Sequence, residues 1–549
     1  MSLRPEPIGP VPDETMRVAR AVFRRGNVYL KLRDELGTLY KDEAFASLFP
    51  TLGQPAEAPW RLALVTVLQF AEGLSDRQAA EAVRSRIDWK YLLGLELEDP
   101  GFDYSLLSEF RTRLIAGRAE GLLLDSLLQQ AQALGLLKRR GRQRTDSTHV
   151  LAAVRVLNRL ERVGETLRAA LNALAVVAPD WLRALAPPEW YERYSQRVEN
   201  YELPKTEAAR RQLAASIGAD GHRLLQAIDA SEQAWLHQVP AVQVLRQVWA
   251  EQYITDTGEL RWREVKEMPP PAEMIASPYD PEARYSTKRE LEWVGYKVHL
   301  TETCDPDTPH LLTNVETTPA TTPDDNMLAV VHASLAARDW LPDEHLVDKG
   351  YTDAHVLVDS RRDYGVHIIG PVAEDPSWQA QAGVGFAKAD FLIDWDAQTA
   401  TCPSGKQNLS WLVNPDATKP ETVVVRFSRR DCSPCPARAQ CTRRHVEPRE
   451  LVLQPRVEHE ALRTARLHQQ TADFRAQYAA RAGIESAHAQ AVRRCGLRQA
   501  RYIGLARTHL QHLATAAAIN VVRLGEWWVD TPFAQTRRSR FAVLQPAAA

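Results

Sequence analysis

Three acidic residues occupy positions that their local sequence does not explain, and together they could bind metal ions. Asp146 lies on a predicted strand, Asp348 follows another, and Glu485 lies on a predicted helix. Ionised carboxylates repel one another unless a counter-charge separates them, and divalent cations can supply it. Carboxylate oxygens favour Mg²⁺ or Mn²⁺, and two such ions roughly 3.5–4 Å apart catalyse phosphodiester chemistry. We therefore predict one two-metal site.

The segment around Asp348 is predicted to be part of an α/β sheet. An apolar run ends in Asp348, Gly350 interrupts it, a helix is predicted over Asp353–Arg362, and a second apolar run follows at residues 366–370. In such sheets, ligands bind at the carboxyl ends of strands. The alternative is that Asp348 only caps the helix.

Glu485 belongs to a predicted long helix, residues 467–494. Tyr478, Arg481, Glu485 and His488 follow one another at spacings of three, four and three, which places them on one stripe. Burying an arginine and a glutamate is costly unless they are paired or bind a metal. The alternative to a catalytic role is a buried Arg481–Glu485 pair.

Two further acids, Asp324 and Asp325, are predicted to be helix caps. They follow Pro323 at the predicted start of a helix, where proline and acidic residues are both favoured.

Four cysteines lie within a predicted β-rich block. A Cys-Pro-Ser-Gly sequence begins at Cys402, a Cys-x2-Cys pair follows at Cys432 and Cys435, and Cys441 comes last. Four thiolates can form a closed tetrahedral zinc site. We predict structural Zn²⁺ here, and the alternative is buried free thiols.

Two runs rich in arginine are predicted to contact DNA. The first run is Lys138–Arg144. The second run, Ser486–Gly525, contains no Asp or Glu. Arginine suits phosphate because its planar guanidinium can donate to two oxygens at once. The alternative for either run is a solvated basic face. The predicted DNA contacts are Arg139, Arg140, Arg142, Arg144, Arg493, Arg494, Arg498, Arg501 and Arg507.

Composition indicates a globular chain of several units. At 549 residues it is long enough for roughly three or four domains. The first fourteen residues lack the apolar core of a signal peptide, no apolar run is long enough to span a membrane, and six cysteines are too few for a disulfide framework. We predict a cytoplasmic protein with no membrane partner.

The periodicity predicts an α/β chain with additional helical and β-rich segments. Residues 13–137 show helical patterns with exposed arginines, which suits either a DNA-binding helix-turn-helix region or plain helical packing. Helical patterns return from Arg155 and end near three consecutive prolines at 269–271. This block is predicted to be an all-α insertion after the first strand.

At three places the chain resembles the bacterial insertion-sequence transposases of the DDE class. These places are Thr145-Asp146-Ser147, Asp348-Lys349-Gly350-Tyr351, and the Tyr478-x2-Arg481-x3-Glu485 signature. The helical segment from Asp34 to Leu114 is similar to the N-terminal domain of that group. The family signature often has a lysine seven positions after the glutamate, whereas this chain has Val492.

The resemblance implies an RNase H-like mixed-sheet catalytic core interrupted by insertions. The expected domains are an N-terminal helical DNA-binding and dimerisation domain (1–140), a core (141–154, 284–372 and 455–530), an all-α insertion (155–283), a β-rich zinc-knuckle insertion (373–454) and a disordered tail (531–549).

The resemblance also implies a function. The chain is expected to bind the inverted-repeat ends of an insertion sequence and target DNA as a homodimer, associated with the bacterial nucleoid, and to cut and join strands. Asp146, Asp348 and Glu485 would hold two Mg²⁺, while Tyr478 and Arg481 would contact phosphate. The alternatives are a metal-dependent nuclease without strand transfer and a domesticated DNA-binding protein without catalysis.

Overall fold

The computed structural model describes residues 2–5, 7–256, 258–414 and 421–529, with Arg540 and Leu544. Apart from those last two residues, the predicted disordered tail at 531–549 lies outside the described residues. The fold is mixed α/β, with one central mixed sheet surrounded by helices and smaller sheets.

Helices form the part of the chain that precedes the first strand. One of them begins with a capping box, in which the Ser75 side chain accepts from the Gln78 N–H and the Gln78 side chain accepts from the Ser75 N–H. The preceding helix ends at Gly73, which adopts a left-handed conformation with φ of 69°. The described helices are α1 (Asp13–Val22), α2 (Val28–Leu36), α3 (Pro59–Glu72), α4 (Asp76–Ser85), α5 (Ile87–Leu93), α6 (Ser105–Ala116) and α7 (Leu122–Ala133).

Strand β1 (Arg142–Leu151) follows, and then a block with its own hydrophobic core. Its helices are α8 (Arg159–Val177), α9 (Pro179–Leu185), α10 (Pro188–Tyr194), α11 (Glu207–Asp229) and α12 (Pro240–Gln252). The prediction of an all-helical block missed a hairpin, β2 (Tyr253–Asp256) and β3 (Glu259–Trp262). This short hairpin packs on the helices, since the Tyr253 ring lies against α11 at Gly218.

The central sheet places β1 between an antiparallel and a parallel neighbour. Strand β5 pairs antiparallel with β1 on one side, and β7 followed by β8 pair parallel on the other. The outer edge of β5 pairs with β4 and β6. The strands are β4 (Arg284–Lys288), β5 (Leu291–Thr303), β6 (Leu312–Pro319), β7 (Glu344–Val347) and β8 (His367–Ile369).

Two helices connect these strands. Helix α14 (Ala354–Tyr364) confirms the predicted strand, turn, helix, strand order around Asp348. Helix α13 (Met327–Ala336) begins later than predicted, after a turn that contains Pro323 and both acids. The Asp324 side chain therefore does not cap it, and Asn326 stands at the cap position without a side-chain hydrogen bond.

The cysteine-bearing segment forms small antiparallel sheets around a third hydrophobic cluster. The prediction of a β-rich segment is confirmed, since the described residues here form five short strands. The strands are β9 (Leu392–Asp394), β10 (Thr399–Thr401), β11 (Asn408–Asn414), β12 (Thr422–Phe427) and β13 (Glu450–Leu453), and the short helices are α15 (Trp378–Ala382), α16 (Arg429–Cys432) and α17 (Arg438–Cys441).

The predicted single helix at 467–494 is wrong, because the structure breaks it. A 3₁₀ turn, Ala479–Ala482, separates two of its helices. At this break the Arg144 Nη1 donates to the Ala480 carbonyl over 2.5 Å, and the Arg142 Nη2 to that of Gln477 over 3.2 Å. The helices are α18 (Arg456–His468), α19 (Ala472–Tyr478), α20 (Gly483–Cys495) and α21 (Leu505–Trp528).

One hydrophobic core unites the N-terminal helices, the sheet and the last helix. It includes Phe70 of α3, Leu300 of β5 and Ile519 of α21, all fully buried. Burial on this scale is the main favourable term in folding. The N-terminal helices therefore fold against the sheet.

A buried ion-pair network crosses the sheet beside this core. Glu302 of β5 is 1% exposed and pairs with Arg144 of β1 over 2.7 Å, and with Arg523 of α21. Burial raises the pKa of Glu302, but Arg523 and Arg144 outweigh it and hold that pKa below its ordinary value. The network ties three distant segments together.

We expect Glu302→Gln to destabilise the protein by about 3–5 kcal/mol, because it leaves two buried guanidinium groups without a carboxylate. Thermal unfolding measures the loss. The matched control is Glu14→Gln, which removes an exposed pair with Arg17 and should cost at most about 1 kcal/mol. Equal unfolding temperatures for the two variants would contradict this account.

Candidate active site

Asp146 lies in the middle of the central strand β1, opposite Leu300 of β5. Its carboxylate is half-buried and accepts from the Arg481 Nη2 over 2.6 Å and from the Ser147 N–H over 2.8 Å. Burial raises the pKa of Asp146 to about 6, although Arg481 lowers it, and the nearby charge of Asp348 raises it further. This carboxylate is costly to ionise where it lies.

Asp348 follows the carboxyl end of β7, the parallel neighbour of β1. Its Oδ1 accepts from the Gly350 N–H over 2.9 Å, in the 3₁₀ turn Lys349–Tyr351. It caps this turn and not, as the alternative interpretation held, the helix, because Asp353 caps α14. The cap does not exclude a second role, since Asp348 remains half-buried beside Asp146.

Glu485 lies in the first turn of α20 and is exposed, with 69% of its side chain accessible. The expectation that its stripe faces the core is wrong for Glu485, which is exposed just after the 3₁₀ turn that precedes α20. His488 is buried, and burial lowers its pKa to about 4. Tyr478 is half-buried and stacks on Phe474 with ring centroids 5.4 Å apart.

Arg481 connects two of the three predicted carboxylates. Its Nη2 lies 2.6 Å from Asp146 and its Nη1 lies 3.2 Å from Glu485. The two side chains therefore do pair, but the pair is not buried as the alternative held, because Glu485 is exposed, and the guanidinium also pairs with the acid on β1. This positive charge offsets the repulsion between acids that lie close together.

The arrangement of these acids does not by itself hold a metal ion. Within the described part of the chain, no group of three or more His, Cys, Asp or Glu side chains is placed to hold one. The donor chemistry of the three acids suits Mg²⁺ or Mn²⁺. Two of them, Asp146 and Glu485, lie on either side of the Arg481 guanidinium.

Asp324 belongs to this cluster, and its prediction as a helix cap is wrong. Its Oδ2 accepts from the Ser147 hydroxyl over 3.2 Å, and its Oδ1 pairs with Lys297 over 3.1 Å. The same Oδ2 lies 3.6 Å from the position that a Cβ on Gly350 would occupy. In the sequence, the only feature that could have indicated a turn at Asp324 was the adjacent Asp325, which is exposed in the structure and suits a turn.

A buried tyrosine–histidine pair lies next to Asp146 and Asp324. The Tyr351 hydroxyl and the His299 Nδ1 are 2.6 Å apart. Burial raises the pKa of Tyr351 well above its ordinary value, and the charges of Asp324 and Asp146 add to that shift. Burial lowers the pKa of His299 to about 4. Both groups are therefore neutral at pH 7.

The four cysteines line one small cavity next to the third hydrophobic cluster. The Cys402 Sγ accepts from the Lys406 N–H over 3.4 Å, as in the predicted knuckle. Burial raises the pKa of Cys441, and the other three cysteines lie close enough to add to that shift. The thiols share a cavity without converging on a metal position, so zinc stays a prediction.

The first arginine run is largely occupied by contacts within the fold. Arg139 pairs with Asp339, Arg142 with Glu344 over 2.8 Å, and Arg140 donates to two carbonyl oxygens. Arg144 is 4% exposed in the network with Glu302. A buried, paired guanidinium does not face a phosphate, so we leave Arg144 out of the proposed DNA surface.

The five arginines of the second run that were predicted to contact DNA are exposed. Arg498 donates from Nε to the Thr148 hydroxyl over 3.0 Å, two residues beyond Asp146 on β1. Arg494 and Arg501 donate to carbonyl oxygens of Ala71 and Leu74. In the parts of the chain that the structure describes, no carboxylate pairs with Arg493, Arg494, Arg498, Arg501 or Arg507.

None of the helices in the described ranges is both long and apolar enough to cross a membrane.

Two segments match known protein families. Residues 401–525 match the family described as Transposase DDE domain, and residues 20–113 match the Transposase domain (DUF772). No curated protein matches the chain. The first match includes Tyr478, Arg481 and Glu485 but neither aspartate. The matches confirm the resemblance to transposases of the DDE class.

We expect Asp146→Asn to stabilise the protein at pH 7.5. Burial raises the pKa of this acid from 3.8 to about 6, so its ionisation opposes folding above that range. The unfolding temperature should rise by about 2 °C or more. The gain should shrink as pH falls from 6 toward 4, because the carboxyl is then protonated in the native protein.

Asp325→Asn is the control for this measurement, since that acid is exposed and should leave the unfolding temperature unchanged. A lower unfolding temperature for Asp146→Asn at pH 7.5 would mean that the pair with Arg481 serves the fold.

Proposed function

We propose that this chain is a DNA transposase that binds the inverted-repeat ends of an insertion sequence, hydrolyses a phosphodiester bond and transfers the new strand end to target DNA. Its transposase domains indicate a DNA transposase, and a DDE domain implies an enzyme of the polynucleotidyl-transferase type. The observation that carries the proposal is the Arg481 guanidinium between Asp146 and Glu485.

The sheet supports an RNase H-like core. Apart from β4, which also pairs with β5, its strand order is β6-β5-β1-β7-β8. Strands β6, β5 and β1 are antiparallel neighbours, and β7 and β8 run parallel to β1. In an open sheet the ligand lies at the carboxyl ends of the parallel strands, where Asp348 is found. We also propose that the two predicted insertions, residues 155–283 and 373–454, divide this core.

Asp146, Asp348 and Glu485 are the residues that would hold the divalent cations. Two such ions, when bound, would activate the attacking oxygen and stabilise the leaving oxygen. Asp146, whose pKa is about 6, is already ionised at pH 7, and the cations would replace the Arg481 guanidinium as its partner. Glu485, which is largely exposed, is free to turn toward the aspartates.

Arg481 and Tyr478 are the proposed phosphate contacts. A guanidinium released from Asp146 keeps its position beside the reacting phosphate and can donate two hydrogen bonds to its oxygens. The Tyr478 ring is fixed by stacking on Phe474, so its hydroxyl is held near the acids. Binding of DNA and of cations would thus favour the same change at Arg481.

The second arginine run is the proposed path of the DNA backbone. The backbone of this run lies beside the end of β1, where the Leu151 N–H donates to the Arg498 carbonyl over 2.8 Å. Exposed arginines without carboxylate partners suit phosphate. We also propose that two chains act together as a homodimer, because strand transfer joins two ends.

Cleavage and joining can be tested together. Full-length protein, Mg²⁺ and a duplex carrying one inverted-repeat end should give nicked products, and pre-cut ends should join to a plasmid. Asp348→Asn should lower both rates by about a thousandfold or more while DNA binding stays unchanged, since removing one member of a catalytic unit costs most of its effect.

Asp325→Asn is the matched control, and it should cut and join normally. Near-normal cleavage by Asp348→Asn would contradict the site assignment. Cleavage without joining would indicate a nuclease, and binding without Mg²⁺-dependent nicking would indicate a protein without catalysis.

We also propose structural zinc at Cys402, Cys432, Cys435 and Cys441. Four thiols around one cavity form a suitable donor set. Elemental analysis should find about one zinc per chain, and Cys432→Ser together with Cys435→Ser should abolish it and loosen this segment. Cys304→Ser is the control, because that buried thiol lies outside the cavity. Zinc-free protein with four reactive thiols would contradict the proposal.

A further inference from the structure

The helical block after β1 contains a large, strongly basic cavity. It has a volume of about 920 Å³ and lies between the start of α8, the start of α11 and the residues that follow β3. Its charged lining consists of six basic and two acidic residues: Arg159, Arg210, Arg211, Arg261, Arg263, Lys266, Glu207 and Glu264.

Some of these cations already have acidic partners. Arg211 pairs with Glu207 over 2.6 Å, Lys266 with Glu264 over 3.2 Å, and Arg261 with Glu267 over 2.8 Å. The pairs of Arg211 and Lys266 are exposed, and such ion pairs contribute little to stability. They leave the cavity with an excess of positive charge.

The other three arginines have no carboxylate partner among the described residues. Arg159 donates only to neutral oxygens, on the Gln252 side chain over 2.7 Å and on the Arg263 carbonyl over 2.9 Å. Arg263 donates to two backbone carbonyls. No hydrogen bond or ion pair of the Arg210 side chain occurs in the described ranges.

Arg159 is also held rigidly. Its guanidinium lies over the Trp262 ring, 3.9 Å from the centroid, and that ring packs edge-on against Tyr253. Burial lowers the pKa of Arg159 to about 10, which shows that its charge is poorly solvated. A fixed, poorly solvated guanidinium in an open basic cavity is suited to an anion.

We propose that this cavity binds the phosphate backbone of duplex DNA, as a second contact separate from the arginine run at Ser486–Gly525. The proposal rests on the proposed function, which supplies DNA as the anion. Helix α8 starts eight residues after the end of β1, so the cavity lies within about 30 Å of the strand that carries Asp146. DNA bound at the acids can therefore extend to it.

Salt-dependent binding of full-length protein to a labelled duplex longer than two helical turns tests this contact. Each phosphate contact contributes about 0.9 to the slope of log affinity against log salt. Arg210→Glu should lower the slope by about 0.9 or more. Arg183→Glu, an exposed arginine of the same block outside the cavity, makes the same charge change and should leave the slope unchanged.

Two further variants distinguish an incorrect cavity assignment from an incorrect proposed function. Arg493→Glu removes a proposed contact of the second run and should flatten the slope independently. Lys266→Glu, at an exposed cavity position, replaces Arg210→Glu if that variant does not fold.

If Arg493→Glu flattens the slope while Arg210→Glu and Lys266→Glu behave like Arg183→Glu, the cavity is no DNA contact and the proposed function stands. Wild-type protein that binds no duplex at low salt would overturn both proposals.

Discussion

The position of Arg481 depends on two arginines of β1. Arg142 and Arg144 donate to the carbonyls of Gln477 and Ala480, which fixes the turn before α20 against the central strand. Gly483 allows this approach, because a Cβ there would lie 2.0 Å from the Arg144 Nη1. The strand that carries the first aspartate thereby also positions the arginine and glutamate from the end of the chain.

This anchoring lets one guanidinium balance acids from two distant segments. Coulomb attraction at hydrogen-bond distance offsets part of the cost of burying Asp146, and the residual cost is visible in its raised pKa. Asp324 is balanced separately by Lys297. The positive charges of Arg481 and Lys297 thus offset part of the repulsion between these acids.

Much of this site could be predicted, because strand ends and acid positions follow from local sequence. The strand with Asp146, the crossover at Asp348 and the Arg481–Glu485 spacing were all correct. The broken helix and the position of Asp324 were not predictable from local sequence, because both involve side chains far away in sequence. Arg144 donates to a carbonyl at the helix break, and Ser147 and Lys297 contact Asp324. Likewise, Arg144 was predicted to contact DNA, but it forms a buried pair with Glu302, which lies far away in sequence.

The central claim is that Asp146, Asp348 and Glu485 bind cations in place of Arg481. Calorimetric titration of full-length protein with Mn²⁺, without DNA, tests it most directly. The account predicts about two ions per chain for the wild type. It predicts no binding at this site for the variant combining Asp146→Asn, Asp348→Asn and Glu485→Gln. Identical titration curves for the two proteins would contradict the claim.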